Sequence, residues 1–116
     1  MKYSDLLKIS KNYKTPTYVY DGGKIEKQYT RLSKAFSGIK KLRINYACKA
    51  LSNISILNFM KRLGSGLDTV SIQEVELGLK AGFKPSDIIY TPNGVSLEEI
   101  EEVAHMGVQI NIDNLS

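Results

Sequence analysis

In the stretch "RINYACKALSN" (residues 43–53) a single lysine, Lys49, stands between an alternating run and the first residues of a helix. A lysine amine can attack a carbonyl carbon and hold it as a Schiff base, provided the fold keeps the two in reach. The same residue also suits a surface charge, its stem along apolar neighbours and its ammonium in water. Further polar positions follow at the ends of later apolar runs: Asp68, the Thr91-Pro92-Asn93 turn, and Asp113. Asp68 has two readings, orienting the lysine or its imine, or capping the turn before Ser71. Asn93-Gly94 is first a turn dipeptide and second a polar contact for a ligand. Asp113 reads as a loop residue after a strand. His105, close to Gly107 at a helix end, favours the helix dipole and is given no catalytic role. There is no Walker-type glycine loop, no G-x-G-x-x-G after a strand, and no Cys/His cluster with metal spacing.

The elements that must position these residues follow a repeating rhythm. "TPTYVYD" (15–21) is rich in β-formers and ends in the turn signal Asp21-Gly22-Gly23, which predicts a first strand. Residues 24–37 place Ile25, Tyr29, Leu32 and Phe36 at helical spacing before Gly38. A unit then recurs. Strand 42–48 leads to a helix capped near Ser52 or Asn53 and closed by Gly64. Strand 66–71 leads to a helix opened by Ser71-Ile72-Gln73-Glu74 and closed by Gly82. Strand 87–93 leads to a helix opened by Ser96-Leu97-Glu98-Glu99 and closed by Gly107, and 108–113 is the fourth strand of the series. Both openings are capping boxes, in which hydroxyl and carboxylate each take one orphan backbone N–H.

Strands alternating with helices imply βαβ units and a parallel sheet, in either a doubly wound fold or a (β/α)8 barrel. In 42–48, Leu42, Ile44, Tyr46 and Cys48 share one face, and Arg43, Asn45, Ala47 and then Lys49 the other. In 108–113, Val108, Ile110 and Ile112 oppose Gln109, Asn111 and Asp113. An open sheet covered on both sides is apolar on both faces. One apolar and one polar or small face suits a barrel wall instead, helices outside and a mouth inside. Eight such units take about 250 residues. Four are present here, so the expected fold is α/β, the N-terminal half of a barrel over residues 24–116. Barrel enzymes carry their reactive groups at the C-terminal ends of the strands, which would gather Lys49, Asp68, Thr91-Pro92-Asn93 and Asp113 around one mouth. Tyr46 and Cys48 would face the helices.

Composition narrows the function classes. With 42% apolar and 24% charged residues, the 116-residue chain reads as globular and of single-domain size. No window is long and apolar enough to span a membrane, and the first 14 residues lack the apolar core of a secretory signal. One cysteine cannot close an internal disulfide, which fits a reducing cytoplasm. The net charge of +4 is modest and no basic stripe is interleaved with aromatics, so nucleic acid is not the expected partner.

The segment "YACKALSNISILNFMKRLG" resembles the pyridoxal-phosphate attachment segment of the fold-type III decarboxylases of basic amino acids. Tyr46, Ala47, Cys48 and Lys49 match its aromatic, small, variable and Schiff-base positions, and Ile56, Leu57, Met60 and Gly64 its helix. Leu51 stands where the family often has asparagine. "GLDTVSIQEVELGLKAGF" is similar to the next family block, with Asp68 and Ser71 in place and Gln73-Glu74 for the usual Gly-Glu. "IIYTPNGVSLEEIEEVAHMGVQINIDN" resembles the region of the third and fourth strands. The resemblance implies that Lys49 carries pyridoxal phosphate as a Schiff base and that Asp68 lies beside lysine and cofactor. It implies a small amino-acid substrate, a homodimer, and a separate C-terminal β-domain whose sheet takes up the strand in residues 1–23. The family's phosphate cradle, its acidic partner of the pyridine nitrogen, its ring-stacking histidine and its partner-subunit cysteine would all fall beyond residue 116, so the chain alone is expected not to turn over. Related readings are a decarboxylase of ornithine, arginine or carboxynorspermidine, a racemase of the alanine type, and a non-catalytic pyridoxal-phosphate homeostasis protein. A structural or interaction module without a cofactor belongs to a different class.

Overall fold

The computed structural model describes residues 1–112, and the chain divides into two units, Met1–Ala35 and Phe36–Ser116. The first unit holds α1 (Tyr3–Tyr13) and α2 (Gly22–Ala35). Helix α1 was not expected from the sequence. Its apolar repeat is sparse: Tyr3, Leu6, Leu7 and Tyr13 share a face that Ser10 interrupts. Asp21 was read as part of a turn but serves as a helix cap. Its Oδ1 accepts from Lys24 N–H at 3.0 Å and its Oδ2 pairs with the Met1 α-amino group at 2.9 Å. Gly22 and Gly23 accordingly begin α2 rather than precede it. Residues 15–21 form no strand ladder among the described residues. A strand needs a partner edge, and the one expected for this segment belongs to another domain.

The second unit is a four-stranded parallel sheet made of β1 (Asn45–Ala47), β2 (Gly66–Thr69), β3 (Ile88–Tyr90) and β4 (Gln109–Ile110). Between the strands lie α3 (Ile54–Arg62), α4 (Ile72–Lys80) and α5 (Leu97–His105). The spatial order is β1-β2-β3-β4. Each strand lies beside its successor with no reversal, whereas a doubly wound sheet reverses its order at a switch point. The progression is that of a barrel wall, as the strand faces implied.

Burial follows the alternation. Leu67, Thr69, Ile88 and Tyr90 are fully shielded, while Asp68 and Ile89 on the opposite face are only half-buried and Gln109 is exposed. The covered face joins Leu57 of α3, Val75 of α4 and Val103 of α5 in one core. Helix α4 lies close on β2 and β3 because residue 78 has no side chain. A Cβ there would run into the Leu67 side chain and stand 3.2 Å from Ile88 Cδ1.

Three details depart from the expectations. The ladders are shorter than the predicted strands, and residues 42–44 and 91–93 lie outside them. Arg43, placed on the inner face, instead donates to the Ser86 carbonyl at 2.6 Å and pairs with Asp87 at 3.0 Å, ahead of β3. The two capping boxes are half-formed. Ser71 and Ser96 accept from the N–H of Glu74 and Glu99 as expected. The carboxylates go elsewhere, Glu74 to Val70 N–H at 2.9 Å and Glu99 to Ile72 N–H at 3.0 Å and the Tyr90 hydroxyl at 2.6 Å. Glu74 thus takes the N–H one residue ahead of its cap, while Glu99 ties α5 to the start of α4 and to β3.

Candidate functional site

Lys49 lies in a 3-10 turn, Cys48–Ala50, between β1 and α3. The turn is closed by Leu51 N–H donating to the Cys48 carbonyl at 3.0 Å, and the Tyr46 hydroxyl donates to the Leu51 carbonyl at 3.0 Å. Asn53 caps α3 immediately afterwards through its side chain, which accepts from Ser55 N–H at 2.9 Å. The backbone that carries the lysine is therefore held on both sides. The Lys49 side chain is exposed and makes no hydrogen bond or ion pair among the described residues.

Cys48 points the other way. It is fully shielded, as the alternation predicted, and its thiol donates to Glu74 Oε2 at 3.4 Å. Burial and then the Glu74 carboxylate push this thiol up from 9.0 to about 12, with a smaller push from Asp68. A thiol held protonated is no nucleophile at neutral pH. Because the folded value exceeds the unfolded one, the unfolded chain loses this proton first as pH rises. The stabilisation is complete below pH 9 and is lost between about pH 9 and 12. Iodoacetamide at pH 8 is expected to leave Cys48 unmodified in the folded protein and to alkylate it in denaturant. Fast alkylation of the folded state, read by mass spectrometry, would contradict the burial.

Asp68 belongs to β2, in register with Ala47 of β1 and Ile89 of β3. It does not cap the turn before Ser71. The turn N–H ahead of α4 is taken by Glu74, and Asp68 Oδ1 accepts instead from the Thr91 hydroxyl at 2.9 Å. Thr91 Oγ1 in turn accepts from Asn111 Nδ2 at 3.1 Å. Both residues follow the ends of their strands, and their backbones are held by Thr91 N–H to the Thr69 carbonyl and Asn111 N–H to the Tyr90 carbonyl, each at 2.8 Å. Thr91 was named only as part of a turn, and Asn111 only as an inner-face residue. Parallel register is the signal that links them, since residues in step on neighbouring strands present their side chains together. Gly94, at φ +67°, makes Asn93-Gly94 the turn it was read to be. His105 Nδ1 donates to the Glu101 carbonyl one helical turn back, at 2.7 Å. Asp113 lies outside the described residues. Among the described residues no group of acids, histidines or cysteines is arranged to hold a metal ion, and no helix is long and apolar enough to cross a membrane.

The strand ends of this barrel-type sheet thus carry a primary amine, Lys49, and a carboxylate, Asp68, on neighbouring strands. Residues 22–116 match the pyridoxal-binding domain of the pyridoxal-dependent decarboxylases, and the chain belongs to that family. Among its relatives, the diaminopimelate decarboxylase of Methanothermobacter thermautotrophicus is 40% identical over 114 residues, 97% of this chain. That of Helicobacter pylori strain J99 is 45% identical over 100 residues, 86% of this chain. The alignments take in 27% and 24% of those two proteins, so the chain spans about a quarter of their length. The crystal structure of Helicobacter pylori diaminopimelate decarboxylase complexed with L-lysine superposes with a TM-score of 0.84 at 39% identity. It covers 97% of this chain and 28% of that one.

The residues present fit the aldehyde-bearing end of pyridoxal phosphate. Lys49 offers an accessible amine, Ala47 and Ala50 beside it are small and exposed, and Asp68 keeps Oδ2 without a protein partner among the described residues.

Proposed function

We propose that this chain is the lysine-bearing part of a pyridoxal-phosphate-dependent carboxy-lyase that converts meso-2,6-diaminopimelate to L-lysine. The observation that carries this reading is the placement of Lys49, exposed on a turn braced from both sides, in a chain that belongs to a pyridoxal-binding family. The substrate is inferred from relatives named diaminopimelate decarboxylase at 36–45% identity. Pyridoxal phosphate, when bound, supplies an electron sink for the pair released as CO2 leaves.

The chain's own residues do the rest of what is assigned here. Lys49 Nζ would hold the cofactor covalently. The 3-10 turn aims that amine, and buried Cys48 keeps the turn seated on the helix layer without competing as a nucleophile. Asp68 presents a carboxylate oxygen from β2, the strand beside the one that leads to Lys49. The complete protein is inferred to be a cytoplasmic homodimer, with residues 15–21 adding a strand to a C-terminal β-domain.

Borohydride reduction of the protein with pyridoxal phosphate, followed by peptide mapping, is expected to place one pyridoxyl group on Lys49. Labelling of another lysine, or of none, would overturn the assignment. Assay of the complete protein against meso-diaminopimelate, ornithine, arginine and carboxynorspermidine is expected to give turnover on the first. Preference for another would keep the cofactor reading and reject the substrate.

A further inference from the structure

We propose that Thr91 and Asn111 are positioning residues that hold the Asp68 carboxylate in place for the Lys49-bound cofactor. This deepens the function proposed above and rests on it. The three side chains come from three successive strand ends: Asp68 in β2, Thr91 after β3 and Asn111 after β4. Gln109 pairs with Ile89 and Ile110 with Tyr90, so one more step in register sets Asn111 beside Thr91. Asp68 pairs with Ile89, two residues before Thr91, so the contact from Thr91 to Asp68 is a diagonal along one face.

The direction of the bonds follows from their chemistry. An amide nitrogen only donates, and Asn111 Nδ2 donates to Thr91 Oγ1 at 3.1 Å. The hydroxyl has one proton, which it delivers to Asp68 Oδ1 at 2.9 Å. A hydroxyl polarised by an incoming donor becomes a better donor itself, so the two bonds reinforce one another. The outcome at Asp68 is an asymmetric carboxylate. Oδ1 is committed to the protein, and Oδ2 has no partner among the described residues, so it is left for the ligand.

All three residues are partly or fully exposed, so the bonds contribute little to the core. Their value lies in the angle at which Oδ2 is presented. A half-buried carboxylate without the hydroxyl would rotate about its side-chain torsions and share its time among several orientations.

The test uses the complete protein loaded with pyridoxal phosphate, with Thr91→Val, Thr91→Ser, Asn111→Leu, Asp68→Asn and the Asp68→Asn/Thr91→Val double variant. Steady-state kinetics on meso-diaminopimelate are read beside the absorbance of the Lys49-bound cofactor as a function of pH. Thr91→Val is expected to lower kcat by about tenfold with KM within about twofold, the scale of one positioning hydrogen bond. It is also expected to displace the pH midpoint of the cofactor band. Thr91→Ser, which keeps the hydroxyl, restores both. Asn111→Leu moves both readouts in the same direction by a smaller factor, and it serves alone if Thr91→Val does not fold. The double variant is expected to be no worse than Asp68→Asn, because the threonine acts through the aspartate. Parent-like spectra and kinetics in both Thr91→Val and Asn111→Leu, or full additivity in the double variant, would overturn this inference while leaving Lys49 in its role. A parent protein without a Lys49-borne band would overturn the proposed function and this inference together.

Discussion

Lys49→Ala is expected to abolish the cofactor band and to lower decarboxylation by about 10⁴-fold or more, the scale on which removing a covalent catalytic group acts. The reason is chemical rather than electrostatic. On the proposed function this amine would hold the cofactor, and among the described residues of Phe36–Ser116 it is the lysine that directly follows a strand. In that unit Lys40 and Lys41 precede β1, Lys61 and Lys80 lie in the last turns of α3 and α4, and Lys84 precedes β3. Lys49→Arg separates charge from reactivity. The guanidinium keeps the positive charge but stays protonated and does not condense with an aldehyde. It is expected to fail as completely as alanine, with thermal stability unchanged in both variants because the side chain is exposed. A Lys49→Arg protein that retained the band would show that a different amine carries the cofactor.

Leu67→Ala is expected to have the largest effect on stability, about 2–5 kcal/mol, seen as a lower midpoint in urea unfolding. Leu67 has no exposed surface and sits in β2, an interior strand of the four, with neighbours on both sides. Its side chain fills the place beside Gly78 of α4, a residue whose missing side chain lets the helix approach. The surroundings cannot collapse into the vacated volume, because Ile88 and Val75 are themselves fully buried and held by strand and helix. A loss below about 1 kcal/mol would mean that the helix layer relaxes onto the sheet. Since Asp68 is the next residue, Leu67→Ala is also expected to disturb the hydrogen bond to Thr91. That gives the stability variant a functional echo at the mouth.

The order of elements from residue 42 onward was legible in the sequence, and so was its physical cause. Glycines at 64, 82 and 107 adopt positive φ and end their helices, while Asn53, Ser71 and Ser96 begin theirs. The inner and outer faces were legible too, because alternation along a strand is a local property. Cys48 is accordingly buried and Lys49 exposed. Less legible were the partners that folding brings to a side chain. Glu74 and Glu99 match a capping box by spacing, yet the Glu74 carboxylate accepts from Val70 N–H and the Cys48 thiol, and that of Glu99 from Ile72 N–H and the Tyr90 hydroxyl. Helix α1 carries too sparse a repeat to declare itself. Residues 15–21 have the composition of a strand and no edge to join among the described residues.

By itself, then, the sequence determined which residues could react and on which face of a strand they would stand, since residue type and period-two alternation need no partner. The tertiary structure alone decided how those residues act together. The parallel register of β2, β3 and β4 turns Asp68, Thr91 and Asn111, separated by more than twenty and then twenty positions, into one hydrogen-bonded row. The turn after β1 gives Lys49 its direction through bonds made by Tyr46 and Cys48. Distances of about 3 Å between side chains from different strands depend on how the chain packs, and no pattern along the chain encodes them one residue at a time.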